Sequence, residues 1–468
     1  MLSLAIALVL FTDGTGAAFR HLLDPPEDES TVEFYQWTAA PSMLLPRAFP
    51  AVIAMPDGDI MVIGGLAATG PTASTEIFDI GTGTWSPGPS LTYKRVGHTA
   101  TLLKDGTVLV AGGDTAMGTT ATAEVIDLTI RASSLTTSMS FSRSAHAAVL
   151  LPSGNVLVTG GTDWVSGTWY QAEMYDPAQH KWLPAGSMAK SRVSFTLQTL
   201  PDGSVLAIGG DSGATSEKYN PGSNSWSGLA NMKSKRYSSS SVVLDGGKIL
   251  VAGGNIDGTP TKSAETYDPA ANAWSLADEM AEQRSSFSLI KLSNGLIMAA
   301  GSYSSLGTTA SVDVYSPYNN TWWSAPSMAR SRGAHGCAMA ESGRAVYVIG
   351  GWSGTALTSS VERFSQVSVP QPDRCEPIDL VPLVLQATEL PGHSENGFLA
   401  KLYAAQAEYE SGDIATCLNI MKAFYNALRG FTQSGHITDE HSEAIYDGYV
   451  SVVTCLGGTP LPPIETHP

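Results

Sequence analysis

The feature that most constrains the fold of this chain is an arginine that recurs seven times at a nearly constant spacing. Successive arginines are 48, 48, 49, 44, 48 and 48 residues apart. A Met or Leu stands four positions before each arginine, and six positions before that residue stands a Trp, which only Ser133 replaces. The seven residues are Arg47, Arg95, Arg143, Arg192, Arg236, Arg284 and Arg332. Such a period indicates an architecture assembled from equivalent units.

Each repeat also carries the pattern of a small antiparallel sheet. A short apolar stretch follows the arginine, then a turn such as Asp-Gly, then a β-branched run that ends in Gly-Gly, except that Ala300 replaces one glycine in the sixth repeat. Asp-Gly turns favour tight hairpins, and uncharged β-branched runs are typical of strands that are buried on both faces. A further strand opens with an acidic residue, which is Glu76, Glu124, Glu173, Glu217, Glu265, Asp313 or Glu362. The repeat therefore predicts four antiparallel strands per unit.

The series of Gly-Gly, acidic strand start, aromatic-Asp, Trp and Arg resembles the Kelch repeat, from about Trp37 to Phe364. This resemblance implies an all-β fold, a seven-bladed Kelch β-propeller of four-stranded antiparallel blades. The Trp37 strand is expected to complete the last blade and to hide the sheet edges. About 35 residues precede the propeller, which is too short for a BTB domain, so a ubiquitin-ligase adaptor is not expected. A small α-helical module is predicted after the repeats.

Composition and pattern predict the remaining segments. Residues 1–18 resemble a signal peptide, with an apolar run of eleven residues that is too short to span a bilayer. The first arginine is Arg20, so the basic start of a leader is missing, and the alternative is a start inside a longer leader. The other predicted segments are a 19–31 extension, a 32–366 propeller, a 367–393 Pro-rich linker, a 394–457 helical module and a 458–468 disordered tail. We expect a secreted or cell-surface protein with no membrane span in the mature chain.

The helical module is predicted from apolar periodicity, with helices from 397 to about 410, 414 to 428 and 439 to 453. In the second helix Leu418, Met421, Phe424 and Leu428 share one face. An exported chain would favour a disulfide between Cys417 and Cys455. The module is either a clamp on the propeller or a docking unit for a partner or for self-assembly.

The overall charge excludes one class of partner. The chain has 26 basic and 43 acidic residues, a net charge of −17. A protein that binds nucleic acid chiefly through phosphate contacts needs a basic surface. We therefore expect no nucleic acid among its partners.

One face of the propeller is the predicted ligand-binding face. Because the first two strands of a blade are antiparallel, the arginine and the loop after Gly-Gly lie on the same face. In Kelch proteins that bind peptides or sugars, the corresponding positions can line the central pocket. Besides the seven arginines, the candidates on this face are Asp114, Asp163, Trp164, Asp211, Asn255, Tyr303 and Trp352.

Each candidate has an alternative structural role. The arginines could instead pair with the acidic strand starts, and the aromatic residues could pack between loops. Arginine offers a fork for carboxylates and aromatic rings stack on sugars. The expected ligand is a glycan or a protein.

Catalysis is less expected than binding, and we predict no catalytic residue and no cofactor. Galactose-oxidase-like enzymes share the fold, but their copper site needs two histidines, two tyrosines and a cross-linked cysteine. This propeller offers Cys337 alone, and His98, His146 and His335 all stand three positions after an arginine. That shared position predicts a packing slot between blades rather than a metal site. The alternatives are a mutarotase-like sugar enzyme that uses Asp114 and Asp211, or a structural surface protein.

Overall fold

A computed structural model of the chain describes residues 18–20, 31–304, 307–340 and 343–370, and in the C-terminal region residues 401–402, 404–408, 414–433, 446, 449 and 453. The chain divides into two compact units. One contains Thr38–Ser365, and the other contains Met1–Trp37 with Gln366–Pro468. Predicted features at 1–17, 371–393 and 458–468, and Cys455, lie outside the described residues.

The larger unit contains the predicted blades, here numbered 1 to 7 in the order of their arginines. In blades 1 to 6 the strands are antiparallel neighbours in chain order, and in blade 7 the fourth strand comes from the start of the chain. The first strands are β3 (Ala51–Ala54), β9 (Thr99–Leu102), β15 (Ala147–Leu150), β21 (Thr196–Thr199), β25 (Ser240–Val243), β31 (Ser288–Lys291) and β35 (Gly336–Ala340). The second strands are β4 (Ile60–Ile63), β10 (Val108–Ala111), β16 (Val156–Thr159), β22 (Val205–Ile208), β26 (Ile249–Ala252), β32 (Ile297–Ser304) and β36 (Ala345–Ile349).

The outer half of each blade completes the four-stranded sheet. The third strands are β7 (Thr75–Asp79), β13 (Ala123–Asp127), β19 (Ala172–Asp176), β23 (Ser216–Asn220), β29 (Ala264–Asp268), β33 (Gly307–Ser316) and β37 (Val361–Pro370). The fourth strands are β8 (Thr84–Pro87), β14 (Ala132–Leu135), β20 (Lys181–Ala185), β24 (Ser225–Gly228), β30 (Ala273–Ala277), β34 (Thr321–Ala325) and β2 (Thr31–Ala40).

The blades close into a ring, as the sequence predicted. Each first strand contacts the first strands of the two adjacent blades, and β35 of blade 7 contacts β3 of blade 1. Blade 7 is completed by the N-terminal strand β2, which lies beside β37 and is flanked by the short strand β1 (Ala18–Arg20). A strand from the start of the chain thus completes the blade formed by the last repeat, so the sheet is not left open where the ring meets itself.

The Gly-Gly pairs let adjacent blades approach closely. Gly112 and Gly113 of blade 2 both have positive φ, at 63° and 98°. A Cβ on Gly112 would lie 2.8 Å from Cε1 of His146 in blade 3, and one on Gly113 would lie 2.9 Å from Cβ of His98. Because Gly112 has no side chain, the next blade can pack against it, and the lack of a side chain on Gly113 leaves room for its own blade. A side chain at either position would collide with these neighbours.

The recurring tryptophans contact neighbouring blades. Trp226 packs against Tyr219 of its own blade, with ring centroids 5.2 Å apart. Its indole N–H donates to the carbonyl of Gly186, between blades 3 and 4, at 2.8 Å. In blade 2, Ser133 takes the Trp position and donates a hydrogen bond to Glu124 at 2.9 Å.

The smaller unit contains the predicted α-helices. Helix α1 (Ile414–Gln433) continues past the predicted end at Leu428, because the glycine at position 430 weakens a helix without terminating it. Its buried face consists of Cys417, Met421, Phe424, Tyr425 and Leu428, and Leu418 is only half-buried. Tyr425 stacks on Tyr449 with ring centroids 5.0 Å apart. Residues 401–402, 404–408, 446, 449 and 453 are also helical. None of the helices in the described part of the chain has the length and apolar character that a bilayer crossing requires.

Candidate functional site

The seven arginines are completely enclosed, with 0% of each residue exposed. In blade 5, Arg236 donates through Nη2 to Glu265 Oε1 at 2.8 Å and through Nη1 to the carbonyl oxygen of Gly253 at 2.8 Å. Every arginine pairs in this way with the acidic strand start of its own blade. The pairs are Arg47–Glu76, Arg95–Glu124, Arg143–Glu173, Arg192–Glu217, Arg236–Glu265, Arg284–Asp313 and Arg332–Glu362.

In the six blades that use Glu, the carboxylate also holds the segment that enters its blade. Glu265 accepts the backbone N–H groups of Lys233 at 2.6 Å and Ser234 at 3.1 Å. The pair therefore fastens the second and third strands to the segment before the arginine. Burial lowers the pKa of Arg236, and the Glu265 carboxylate opposes that shift. This placement favours the structural alternative for the arginines over direct ligand contact.

The three histidines occupy the slot between blades that their common position predicted. The His98 ring lies against Gly64 of blade 1, and the His335 ring lies against Gly301 of blade 6. Burial and the nearby arginines lower the pKa of His98 and of His335 to about 3, and they lower the pKa of His146 well below its usual value. The imidazoles are therefore neutral at pH 7.

These residues do not fit the copper site of an oxidase. Cys337 lies in the first strand of blade 7, and burial raises the pKa of its thiol to about 12. Each imidazole is enclosed in its own slot. Among the residues that the structure describes, no group of three or more His, Cys, Asp or Glu side chains could hold a metal ion.

The loops after the Gly-Gly pairs lie on one face of the propeller, mostly as short hairpins, and we call them the rim. In four blades the rim hairpin is a two-stranded ribbon, formed by β5 (Leu66–Ala67) with β6 (Gly70–Pro71), β11 (Asp114–Thr115) with β12 (Gly118–Thr119), β17 (Thr162–Asp163) with β18 (Gly167–Thr168), and β27 (Asn255–Ile256) with β28 (Thr259–Pro260). Blade 6 extends β32 and β33 instead, and blade 7 pairs Trp352 with Leu357. In blade 4 the rim segment between Gly210 and β23 is shorter and contains none of the described strands. This loss explains the single gap of 44 residues in the repeat.

The rim hairpins of blades 2 and 3 carry an exposed apolar patch. Trp164 is 69% exposed, and its indole N–H donates to Asp114 Oδ2 at 3.0 Å. The same oxygen accepts from Ser144 Oγ at 2.7 Å. Met117 and Val165, at the tips of these hairpins, are 98% and 95% exposed. Trp164 is therefore fixed in orientation while its ring faces solvent.

The remaining rim candidates lie on the same face in blades 3, 5, 6 and 7. Asp163 accepts from Ser142 Oγ and from the backbone N–H of Val165. Asn255 donates to Ser285 Oγ at 2.8 Å. Tyr303 is exposed and Trp352 is half-buried.

The two carboxylates considered for acid–base chemistry lie in blades 2 and 4, with blade 3 between them. Asp211 is buried, accepts from Thr215 Oγ1 at 2.7 Å and lies 3.6 Å from Arg192 Nη1. Asp114 is already bound by Ser144 and Trp164. Each carboxylate therefore has its own local partners.

Sequence reasoning missed a set of residues two positions after each arginine, which we call the inner ring. In six blades the backbone N–H of this residue donates to the carbonyl of its counterpart in the preceding blade; one such bond joins Ser238 to Ser194 at 2.8 Å. The inner ring lies at the entry to the ring of first strands. Its members are Phe49, Gly97, Ala145, Ser194, Ser238, Ser286 and Ala334. No residue type is constant at this position, so only its fixed offset from the arginine could have revealed it.

Comparison with known proteins agrees with this architecture. Kelch motifs match residues 47–92, 236–281 and 333–368. No curated protein matches the sequence. Among solved structures, the fold is similar to that of a fungal alcohol oxidase of the AA5 family in complex with copper, with a TM-score of 0.60 and 17% identity over 72% of this chain and 77% of the oxidase. The chain therefore carries Kelch motifs in three places on a propeller of seven four-stranded blades.

Proposed function

We propose that this Kelch propeller is a non-catalytic recognition module that holds a glycan or protein ligand at the mouth formed by the rim and the inner ring. The observation that carries the proposal is Trp164, a large aromatic ring that is exposed and yet held by Asp114 of the neighbouring hairpin. Two further exposed apolar side chains, Met117 and Val165, lie at the tips of the same two hairpins.

This arrangement suits binding for two physical reasons. Contiguous exposed apolar surface is costly in water and commonly marks an interaction site. A side chain that is already hydrogen-bonded in one orientation loses little further freedom when a ligand arrives. Loops on a rigid propeller can both expose an apolar side chain and hold it in one orientation.

An oxidase activity has less support. The similar fungal enzyme contains copper, but His98, His146 and His335 are enclosed between blades. Burial also raises the pKa of the Cys337 thiol. A sugar enzyme that uses Asp114 and Asp211 together would need both carboxylates at one substrate, and blade 3 separates them. We therefore propose recognition without turnover.

The test is binding of the purified chain to an array of neutral and acidic glycans, with Trp164→Ala as the variant. Tyr318→Ala is a matched control, since Tyr318 is also an exposed aromatic residue, at 77%, but follows β33 on the opposite face. We expect W164A to weaken binding at least about tenfold, the loss of one exposed aromatic contact. Y318A should bind normally, and both variants should unfold like the wild type.

Equal binding by wild type and W164A would contradict the proposed mouth. If the wild type binds no glycan on the array, the proposal to test next is that the ligand is a protein. Capture experiments with the same two variants would then decide, because a protein held at the mouth must also be lost in W164A and retained in Y318A.

A further inference from the structure

One residue of the inner ring, Phe49, has a bulky side chain. The backbone conformation at that position does not require a bulky side chain. The non-glycine residues of the ring all have left-handed φ values, from 48° to 52°. Such a conformation disfavours large side chains, and five of the other positions hold only Ala or Ser. Phe49 is nevertheless present in blade 1 with 46% of its surface exposed. The fold does not need a large side chain here, and this one is exposed to solvent at the mouth. Its presence therefore indicates contact with a ligand.

Three consecutive blades place hydroxyl groups in the same ring. Ser194, Ser238 and Ser286 belong to blades 4, 5 and 6 and are half-buried. Their backbone groups are engaged around the ring, with Ser238 N bonded to Ser194 O and Ser286 N bonded to Ser238 O. Among the hydrogen bonds of the described residues, none uses the Oγ atom of any of the three. Each hydroxyl can therefore both donate to and accept from a ligand.

These two features face each other. In a ring of seven blades, blades 4 and 5 lie opposite blade 1, so Ser194 and Ser238 stand across the mouth from Phe49. We propose that the inner ring is a subsite for a neutral polyhydroxylated ring, such as a pyranose. Phe49 packs against its C–H face, and Ser194, Ser238 and Ser286 bond its hydroxyl groups. The inference rests on the proposed function and specifies the ligand class that the mouth takes.

The arginines nearest this subsite are paired with carboxylates in the part of the chain that the structure describes, which argues for a neutral ligand. The guanidinium groups next to the ring are enclosed, and each is matched by a carboxylate of its own blade. A carboxylate or ammonium group on the ligand would lose hydration there without gaining an opposite charge. The sequence analysis left open that the arginines bind a carboxylate of the ligand, and the enclosed pairs make such a contact unfavourable.

The experiment measures binding of three probes to the full chain by calorimetry: methyl glucopyranoside, methyl galactopyranoside and methyl glucuronoside. Phe49→Ala should retain stability, because Ala145 and Ala334 take the same backbone conformation at the same position. We expect F49A to weaken binding of the preferred neutral glycoside at least about tenfold and Ser238→Ala to weaken it about threefold to tenfold. Ser223→Ala, in an exposed turn on the opposite face, should have no effect.

The outcomes separate this inference from the function on which it rests. If W164A abolishes glycan-array binding but F49A binds every probe like the wild type, ligand binding at the mouth is supported and the proposed subsite is wrong. If neither variant changes binding, both proposals fail. A glucuronoside that binds as tightly as the neutral glycosides overturns the neutral ligand class. A wild type that binds none of the neutral probes at millimolar concentration overturns the subsite.

Discussion

A guanidinium group is among the costliest groups to bury, and this propeller buries one in every blade. The cost is offset because each arginine bonds a carboxylate and two or more backbone or side-chain oxygens of its own blade. In the six blades where the partner is Glu, the carboxylate in turn accepts two backbone N–H groups, as Glu265 does. Arginine suits this position because its planar fork can contact several acceptors at once, which a lysine cannot do.

Two adjacent residues allow a direct test of the buried pair. Arg236→Met leaves Glu265 as an uncompensated buried charge, so we expect it to lower the free energy of unfolding by about 3–5 kcal/mol. Lys235→Met removes only the exposed ion pair with Asp257 and should leave the denaturation midpoint unchanged. Urea denaturation followed by circular dichroism measures both. Equal midpoints for the two variants would show that the Arg236–Glu265 pair contributes nothing to stability.

At the scale of the strand and its turn, the Gly-Gly pair sets how closely two blades can pack. The second strands are completely buried since both faces are covered by neighbouring blades. At the end of six of them, the chain turns through two consecutive left-handed glycines, and in blade 6 through Gly301 alone. Small residues are required there by both the backbone conformation and the available space.

We expect Gly112→Ala to destabilise the protein by about 2–4 kcal/mol. Its Cβ would collide with the His146 ring and with the carbonyl oxygen of Arg143, in addition to the strain of a left-handed alanine. Gly228→Ala is the control, because a Cβ at that position meets nothing within 4 Å. Thermal unfolding distinguishes them. A Gly112→Ala variant as stable as Gly228→Ala would mean that the blades separate without cost.

At the scale of the whole molecule, the ring depends on a strand from the other end of the chain. Strand β2 completes blade 7, and Thr38 Oγ1 donates to the carbonyl of Arg363 in β37 at 3.4 Å. Without β2, the edge of β37 would be open to pairing with other molecules. The N-terminal strand therefore contributes to both stability and solubility.

Deletion of residues 1–40 removes β1 and β2, and we expect that variant to aggregate or to unfold without a single cooperative transition. Deletion of residues 1–17 leaves both strands in place and should yield the same folded state as the full chain. Size-exclusion chromatography with circular dichroism reports both properties. A monomeric, cooperatively folded variant without residues 1–40 would show that the ring closes without this strand.

The three histidine slots make the whole molecule sensitive to acid. His98 faces Arg95, Arg47 and Glu124, and its pKa falls from 6.5 to about 3 on folding. Below pH 6.5 the unfolded chain binds a proton at this position while the folded chain does not, so stability is lost as pH falls. The loss is about 1.4 kcal/mol per pH unit for each such histidine.

His98→Phe removes one of these groups, and Phe195 and Phe287 already occupy the same slot in blades 4 and 6. Between pH 6.5 and 5, we expect the variant to lose about 2 kcal/mol less of its unfolding free energy than the wild type. Denaturation at a series of pH values measures the difference. Parallel curves for the two proteins would mean that His98 is protonated in the folded state.

The sequence by itself determined the number of blades, the order of strands in each, the face that carries the arginines and the closing N-terminal strand. These follow from local patterns that recur seven times: turn glycines, β-branched runs and a fixed spacing. It also predicted the slot shared by the three histidines, because a common position in a repeat implies a common environment.

Only the tertiary structure decided what the arginines do, which side chains face the mouth and where the rim is shortened. Arg236 and Glu265 are 29 residues apart, and their spacing is equally compatible with a buried pair and with an exposed fork. Ser194 and Ser238 come together only when adjacent blades pack, and Phe49 faces them only when the ring has closed. Contacts between blades depend on the curvature of the whole ring, which no single repeat specifies.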